Sequence, residues 1–224
     1  MTRPWQTLDA VTTREGRLEL RRRGESEFLI AIAGRVLMNS QASLAEIALG
    51  RLACEAIATR SAPRVLIGGL GMACTLRACL DVLPARAQVV VAELNEVVVR
   101  WCSSGPLAEL TNRAAQDPRV ELRVGDVAGV IREAASPGAD RFDAVVLDLY
   151  EGPHPVCPRD HPHYGQQALA QVHAALRERG IFALWSEDPN PTFEKHLTRA
   201  GFTVRSDRPA RGTRRHIVYL GERR

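Results

Sequence analysis

Three acidic residues stand at the ends of β-type segments in the middle of the chain: Glu93, Asp126 and Asp148. The segments that precede them span residues 89–92, 119–124 and 142–147. In open α/β sheets, ligands bind outside the carboxyl ends of the strands. The spacing therefore predicts that the three carboxylates meet at one rim of a single sheet.

A glycine cluster precedes the first of these acids. Gly68, Gly69 and Gly71 follow a short apolar run at 65–67 and lead into a helical pattern of apolar residues. Glycines let a ligand approach the backbone, and a helix N-terminus offers free N–H groups. Glu93 lies about 20 residues further on, where a doubly wound sheet places its ribose-binding acid. The pattern predicts an adenosine-type nucleotide site, and close helix–strand packing without a ligand is the alternative.

The sequence of the glycine turn indicates which class of nucleotide is expected. It does not match G-x-x-x-x-G-K-[ST], which argues against a triphosphate P-loop, and it does not match G-x-G-x-x-G, which argues against NAD or FAD. A ligand without phosphates, such as S-adenosylmethionine, fits better.

Composition favours an ordinary α/β protein. The 224 residues are 45% hydrophobic, enough for one α/β domain with a small appendage. We find neither a signal peptide nor a long apolar run, and we expect a soluble, cytoplasmic protein with no membrane partner. The net charge of +4 comes largely from two arginine clusters, but only 5% of residues are aromatic. Solvated arginine is thus favoured over nucleic-acid binding.

The periodicity predicts a Rossmann-like class I methyltransferase fold, a mostly parallel sheet flanked by helices, preceded by a small N-terminal β-meander. We place the meander or arm at 1–40 and the nucleoside-binding catalytic domain at 41–224. Residues 1–13 show no period, and strands are expected near 17–22, 27–33 and 35–38. A capping box of Ser43 and Glu46 predicts a helix to about Arg60. Further expected elements are helices at 127–135, 166–179 and 191–200, and strands at 181–185, 202–205 and 216–220.

An irregular segment, 149–165, follows Asp148 and is expected to be a lid or substrate-recognition loop. It contains five possible metal ligands, namely His154, Cys157, Asp160, His161 and His163. Their spacing fits no zinc pattern, and the five scattered cysteines of the chain form no C-x-x-C pair. We therefore predict no metal and no disulfide framework.

With these motifs in place, the chain resembles the polyamine aminopropyltransferases, the spermidine synthase-like branch of the S-adenosylmethionine transferase fold, from roughly Leu18 to Leu220. The resemblance is carried by G-R-V-L-M in the meander and by V-L-I-G-G-L-G-M-A-C-T-L-R at the glycine turn. F-D-A-V-V-L-D-L-Y-E-G-P stands where the family has D-S-S-D-P-x-G-P, and L-W-S-E-D-P is similar to its Q-S-E-S-P.

The resemblance implies roles for the acids. Glu93 would bind the ribose hydroxyls, Asp126 the adenine amino group, and Asp148 would orient the acceptor amine and take its proton. The implied catalytic residues are Asp148, Tyr150 and Glu151. The implied cofactor-binding residues are Gly68, Gly69, Gly71, Glu93, Asp126, Val127 and Asp148. By family analogy the meander would form a homodimer interface.

Departures from the family pattern keep several functions open. The turn lacks the family's acidic residue at 69–72, Met38 replaces an expected glutamine, and Glu151 replaces an aspartate. Glu151 and Glu187 remain candidates for an acidic acceptor pocket. The leading hypothesis is aminopropyl transfer from decarboxylated S-adenosylmethionine to a diamine. The alternatives are a methyltransferase or 3-amino-3-carboxypropyl transferase that uses S-adenosylmethionine itself, and a non-catalytic nucleotide-binding or scaffold protein.

Overall fold

A small antiparallel sheet opens the chain. The computed structural model describes residues 3–153, 158–208 and 216–224. Four strands pair in chain order: β1 (Gln6–Thr13), β2 (Gly16–Arg23), β3 (Glu27–Ile32) and β4 (Arg35–Asn39). The last three match the predicted meander to within one residue at each end.

The strand β1 corrects the sequence prediction for residues 1–13. Its side chains are half-buried or exposed, so the segment shows little alternation of apolar and polar residues. The strand forms because its backbone pairs with β2 along almost its whole length. The Asp9 carboxylate also accepts a hydrogen bond from Trp101 Nε1 at 2.8 Å, which ties β1 to the rest of the protein.

The second sheet has seven strands and carries the three acids. Its strands are β5 (Arg64–Gly68), β6 (Gln88–Glu93), β7 (Val120–Val124), β8 (Phe142–Leu147), β9 (Leu176–Ser186), β10 (Phe202–Asp207) and β11 (Ile217–Arg223). They lie in the order β10-β11-β9-β8-β5-β6-β7. Strands β5 to β9 are parallel, and β11 runs antiparallel to both of its neighbours. This mostly parallel sheet, with helices in its connections, confirms the predicted fold class.

Six α-helices are present in the described part of the chain: α1 (Leu44–Glu55), α2 (Cys74–Val82), α3 (Glu96–Ser103), α4 (Val127–Ala135), α5 (Gln166–Ala175) and α6 (Pro191–Arg199). The predicted C-terminal ends of two helices were wrong. Helix α1 ends five residues before Arg60, and residues 176–179, predicted as helix, belong to β9. There Leu176 is fully buried and pairs with Phe142, so burial against the sheet outweighs helix propensity. None of the helices in the described ranges is long and apolar enough to cross a membrane.

The two sheets share a hydrophobic core. Leu18, Leu20 and Ile30 of the small sheet belong to the same buried cluster as Leu49 of α1 and Leu76 of α2. Each large aliphatic side chain buried in this way contributes about 1.5–3 kcal/mol. This shared core, together with the Asp9–Trp101 hydrogen bond, holds the small sheet beside the glycine turn. The proposed division at residue 40 into two domains stays a prediction.

One of the two arginine clusters lies near the C-terminus and consists of Arg211, Arg214, Arg215, Arg223 and Arg224. The first three of these lie outside the described residues.

Candidate active site

The topology of the larger sheet creates a crevice at the carboxyl ends of its strands. The chain runs from β5 outward to β6 and β7, then crosses back to β8 on the other side of β5. Such a reversal of strand order opens a ligand site in doubly wound sheets. A cavity of about 460 Å³ lies there, enclosed on its far side by residues of the small sheet such as Leu18 and Ile32.

The glycine turn forms one wall of the cavity. Gly69 has φ +90°, and a Cβ at this position would lie 2.4 Å from the carbonyl oxygen of Asp148, so only glycine fits. The Gly69 N–H donates to the Ala92 carbonyl at 2.8 Å. Gly71, with φ +52°, faces the Met38 side chain. Gly69 and Gly71 thus line the cavity, and their role in cofactor binding stays a prediction.

Gly68 has a different position. A Cβ there would lie 2.8 Å from Val127 Cγ2 and 2.9 Å from Leu147 Cδ2. Gly68 does not contact the cavity, and its lack of a side chain allows α4 to pack against the sheet. The geometry favours the packing alternative for this glycine.

The Glu93 carboxylate is anchored at the end of β6. Its Oε2 accepts from the Leu70 N–H at 2.9 Å, and its Oε1 accepts from the Asn95 N–H at 2.8 Å. The residue is only 7% exposed but lines the cavity. Because a carboxylate can accept about four hydrogen bonds, each oxygen retains capacity for one more. Two adjacent hydroxyls would match this remaining capacity.

Asp126 caps helix α4. Its Oδ1 accepts from the Ala128 N–H at 2.9 Å and lies 3.2 Å from His163 Nε2. These hydrogen bonds lower the pKa of the Asp126 carboxyl against the opposing effect of burial. Val127, the next residue, also lines the cavity. The contact with His163 joins the irregular segment after β8 to the predicted adenine side of the site.

Asp148 follows the last residue of β8 and lines the cavity. The Thr75 hydroxyl lies 2.7 Å from Asp148 Oδ2, and the Trp185 side chain also donates to this carboxylate. Burial and then the neighbouring Glu46 and Glu93 carboxylates raise the pKa of Asp148 to about 7, despite those two hydrogen bonds. A carboxyl with a pKa near neutrality is suited to accept and release a proton under physiological conditions.

The other two predicted catalytic residues line the mouth of the cavity. Tyr150 is 46% exposed. The Glu151 carboxylate is also exposed and lies 3.6 Å from the Arg35 guanidinium of β4. Tyr164 donates from its hydroxyl to the Glu151 carbonyl at 2.7 Å, which holds this part of the irregular segment in place. The structure thus brings Tyr150 and Glu151 to the same cavity as Asp148, but nearer to solvent.

The residues predicted from the sequence did not include Glu15 and Glu46, which line the cavity, or Thr75, which contacts Asp148. Glu46 was interpreted as part of a capping box, but Ser43 makes no capping hydrogen bond through its side chain, and Glu46 lines the cavity. Glu187, an expected member of the acceptor pocket, is exposed and lies outside the cavity lining. The feature of the sequence that could have indicated a site role for Glu46 is its position in the first turn of α1, just after the meander.

The cavity has a strongly acidic lining. Its carboxylates belong to Glu15, Glu46, Glu93, Asp126, Asp148 and Glu151. No lysine or arginine lines it within the described ranges, although the whole chain carries 30 such residues and a net charge of +4. The described residues contain no group of three or more histidine, cysteine or acidic side chains arranged to hold a metal. His154 and Cys157 lie outside those residues.

The fold and the cavity together define a Rossmann-like protein of the class I methyltransferase type with an N-terminal antiparallel sheet. Structures of spermidine synthases share this fold. The one from Thermotoga maritima superimposes with a TM-score of 0.72 and 16% identity, covering 96% of this chain and 72% of its own. A probable spermidine synthase from Corynebacterium glutamicum ATCC 13032 gives a TM-score of 0.64 at 20% identity, covering 97% of this chain and 79% of its own. The fold is therefore spermidine synthase-like.

Sequence relatives support the same resemblance. The chain is 29% identical over 126 residues to a polyamine aminopropyltransferase of Clostridium tetani (strain Massachusetts / E88), which is 56% of this chain and 41% of that protein. A protein of the same name from Thermoanaerobacter sp. (strain X514) is 31% identical over 125 residues, with the same coverage of 56% and 41%. The matches thus span about two fifths of the length of these relatives. No family model matches the chain. The resemblance predicted from the motifs is confirmed.

Proposed function

We propose that this protein is a transferase that alkylates an amine with a sulfonium nucleoside, most closely by aminopropyl transfer from decarboxylated S-adenosylmethionine to a diamine. The observation that carries the proposal is the acidic cavity. Six carboxylates line it without a lysine or arginine among its described lining residues, in a chain of positive net charge. Such a lining attracts cations, and both a sulfonium donor and a protonated amine are cations.

The donor nucleoside would lie over β5, β6 and β7. Its ribose would bind Glu93, and its adenine would lie beside Asp126 and Val127, beyond the glycine turn. These placements follow the resemblance, and the free acceptor capacity of the Glu93 oxygens supports them. The donor's reactive carbon would then lie toward Asp148.

The reaction requires an uncharged nucleophile. Asp148 would accept a proton from the acceptor ammonium, after which the amine nitrogen forms a bond to the carbon next to sulfur. The carbon–sulfur bond breaks, and its electron pair stays on the sulfur, which leaves as a neutral thioether. The leaving group therefore needs no acid, and the tasks of the protein are orientation and proton removal.

A specific observation favours the second candidate, a methyl or 3-amino-3-carboxypropyl transferase. Met72, which is 1% exposed, stands in the part of the turn where the aminopropyltransferases carry an acid. A carboxylate there would repel the carboxylate of S-adenosylmethionine, and the turn of this chain lacks such a carboxylate.

We also propose that the protein is located in the cytoplasm and assembles as a homodimer, as expected from the sequence.

Ligand binding followed by product analysis tests the proposal. We would titrate the protein with decarboxylated S-adenosylmethionine, methylthioadenosine, S-adenosylmethionine and S-adenosylhomocysteine and record the thermal shift, since ligands of the folded state raise its stability. The protein would then be incubated with decarboxylated S-adenosylmethionine and a panel of diamines. Release of methylthioadenosine together with an aminopropylated amine is expected. Preference for the two carboxylate-bearing ligands would favour the second candidate, and no shift with any ligand would refute the nucleoside site.

A further inference from the structure

Glu46 was assigned to helix capping from the sequence, but the structure places it in the cavity near Asp148. It belongs to the first turn of α1 and lines the cavity. Its Oε2 has almost no solvent-accessible surface and no hydrogen-bond partner among the described residues. A buried carboxylate oxygen without a partner is costly, and such an oxygen beside a cavity indicates a missing cationic or hydrogen-bonding ligand.

The Thr75 hydroxyl links Glu46 to Asp148. It lies 2.7 Å from Asp148 Oδ2 and 3.1 Å from the Glu46 carbonyl oxygen. The Glu46 carboxylate is close enough to raise the pKa of Asp148 by charge repulsion. Both residues line the cavity, so the two carboxylates are neighbours there.

The topology shows from which side Glu46 approaches. Helix α1 packs against α2, β8, β9 and β11, whereas Glu93 and Asp126 follow β6 and β7 on the opposite flank of β5. In an in-line displacement the nucleophile enters opposite the leaving group. If the ribose and the sulfur of the donor lie toward Glu93, the acceptor must enter from the α1 side, where Glu46 is located.

We propose that Glu46 is a second amine-binding carboxylate, which together with Asp148 holds the reacting ammonium group of the acceptor. This inference rests on the proposed function and adds a specificity-determining residue to it. The acceptor ammonium would donate one hydrogen bond to each carboxylate. The proton then passes to Asp148, and the freed amine nitrogen attacks the donor carbon.

The charges around the pair agree with this role. Burial raises the pKa of Glu46, while a hydrogen bond from its own backbone N–H and the nearby His216 lower it. The groups that face the two carboxylates from the surrounding elements are Thr75, Cys74, Glu93, Trp185 and His216. Apart from His216, none of these groups can carry a positive charge, so a bound ammonium would add a cation next to two carboxylates.

The test compares Glu46→Gln with Glu55→Gln, a matched change on the same helix. Glu55 is exposed and pairs with Arg51 at 3.0 Å. Calorimetry would measure the binding of 1,3-diaminopropane, putrescine, cadaverine and spermidine in the presence of saturating methylthioadenosine. Loss of one charge-assisted hydrogen bond at Glu46 is expected to weaken the binding of the preferred amine by about tenfold or more. Methylthioadenosine affinity should stay within about twofold in both variants, as should amine affinity in Glu55→Gln.

A second readout separates amine binding from a merely structural role. Without the repulsion from Glu46, the pKa of Asp148 falls, so the acidic limb of the pH profile of kcat/KM should move to lower pH in Glu46→Gln. Glu46→Asp keeps the charge but withdraws it by one methylene, and it should weaken amine binding while the protein remains folded. This variant keeps the inference testable if Glu46→Gln does not fold.

Three results would overturn the inference. If the wild-type protein binds the diamines and Glu46→Gln binds them equally well, the inference fails and the proposed function stands. If Glu46→Gln loses methylthioadenosine affinity and keeps amine affinity, Glu46 belongs to the donor site. If the wild-type protein binds none of the four amines, both the inference and the proposed function fail.

Discussion

Asp148→Asn should make the protein more stable at neutral and alkaline pH while abolishing the proposed transfer activity. The pKa of the Asp148 carboxyl is about 7 in the folded chain against an ordinary value of 3.8, mainly because of burial and the Glu46 and Glu93 carboxylates. The folded state therefore binds this proton more tightly than the unfolded state does. By linkage, the free energy of unfolding falls as the pH rises from 3.8 to about 7.

The size of this effect follows from the two pKa values. The raised pKa of Asp148 lowers the free energy of unfolding by roughly 4 kcal/mol at about pH 8 and by roughly 1–2 kcal/mol at about pH 5. Asparagine carries no charge at any of these pH values, and its amide oxygen can still accept from Thr75. We expect a gain of about 2–4 kcal/mol at about pH 8, or about 5–12 °C in Tm for a chain of this size.

The assay is thermal unfolding of both proteins between about pH 4.5 and pH 9, with Asp140→Asn as the control at a largely exposed aspartate. The stability gain of Asp148→Asn should shrink steadily toward acid pH. Asp140→Asn removes the ion pair with Arg177, so it should give no stability gain at about pH 8. A gain that does not vary with pH, or a loss of stability at about pH 8, would refute the assignment of a raised pKa to Asp148.

Three further predictions concern the site and its support. The kcat/KM for the proposed aminopropyl transfer should rise with pH through about 7, because Asp148 must be ionised to accept the proton. A flat profile between about pH 5.5 and 9 would exclude this role. Glu93→Gln should weaken methylthioadenosine binding in calorimetry by about tenfold or more, because an amide group cannot accept hydrogen bonds on both sides; unchanged affinity would contradict ribose binding. Asp143 is 2% exposed and pairs with Arg177 at 2.9 Å. Asp143→Ala should therefore lower the free energy of unfolding in urea by about 3 kcal/mol, against less than about 1 kcal/mol for Asp140→Ala. Equal losses would contradict a buried ionic network around Asp143.

Much of the fold could be predicted from local patterns. The strands β5, β6 and β8 and the helix α4 were located to within about two residues, because their apolar periods and flanking glycines are strong signals. The strand β1 was missed because its side chains alternate weakly and its stability comes from pairing with β2. Residues 176–179 were misassigned because burial against β8 is a tertiary effect that helix propensity does not contain.

The sequence by itself determined that Glu93, Asp126 and Asp148 meet at one rim. Parallel strands present their carboxyl ends at the same edge, so a residue that ends such a strand has a predictable position. The glycine turn was equally readable, although only the structure separates Gly69 and Gly71, which line the cavity, from Gly68, which packs against α4.

Only the tertiary structure decided which other charges join these acids. Glu46 is about a hundred residues from Asp148 along the chain, and its place beside Asp148 depends on how α1 packs across β8, β9 and β11. The same packing removes water from the Asp148 carboxyl and raises its pKa. A local pattern records the type and spacing of residues, whereas desolvation and charge repulsion depend on distances that only the assembled fold sets.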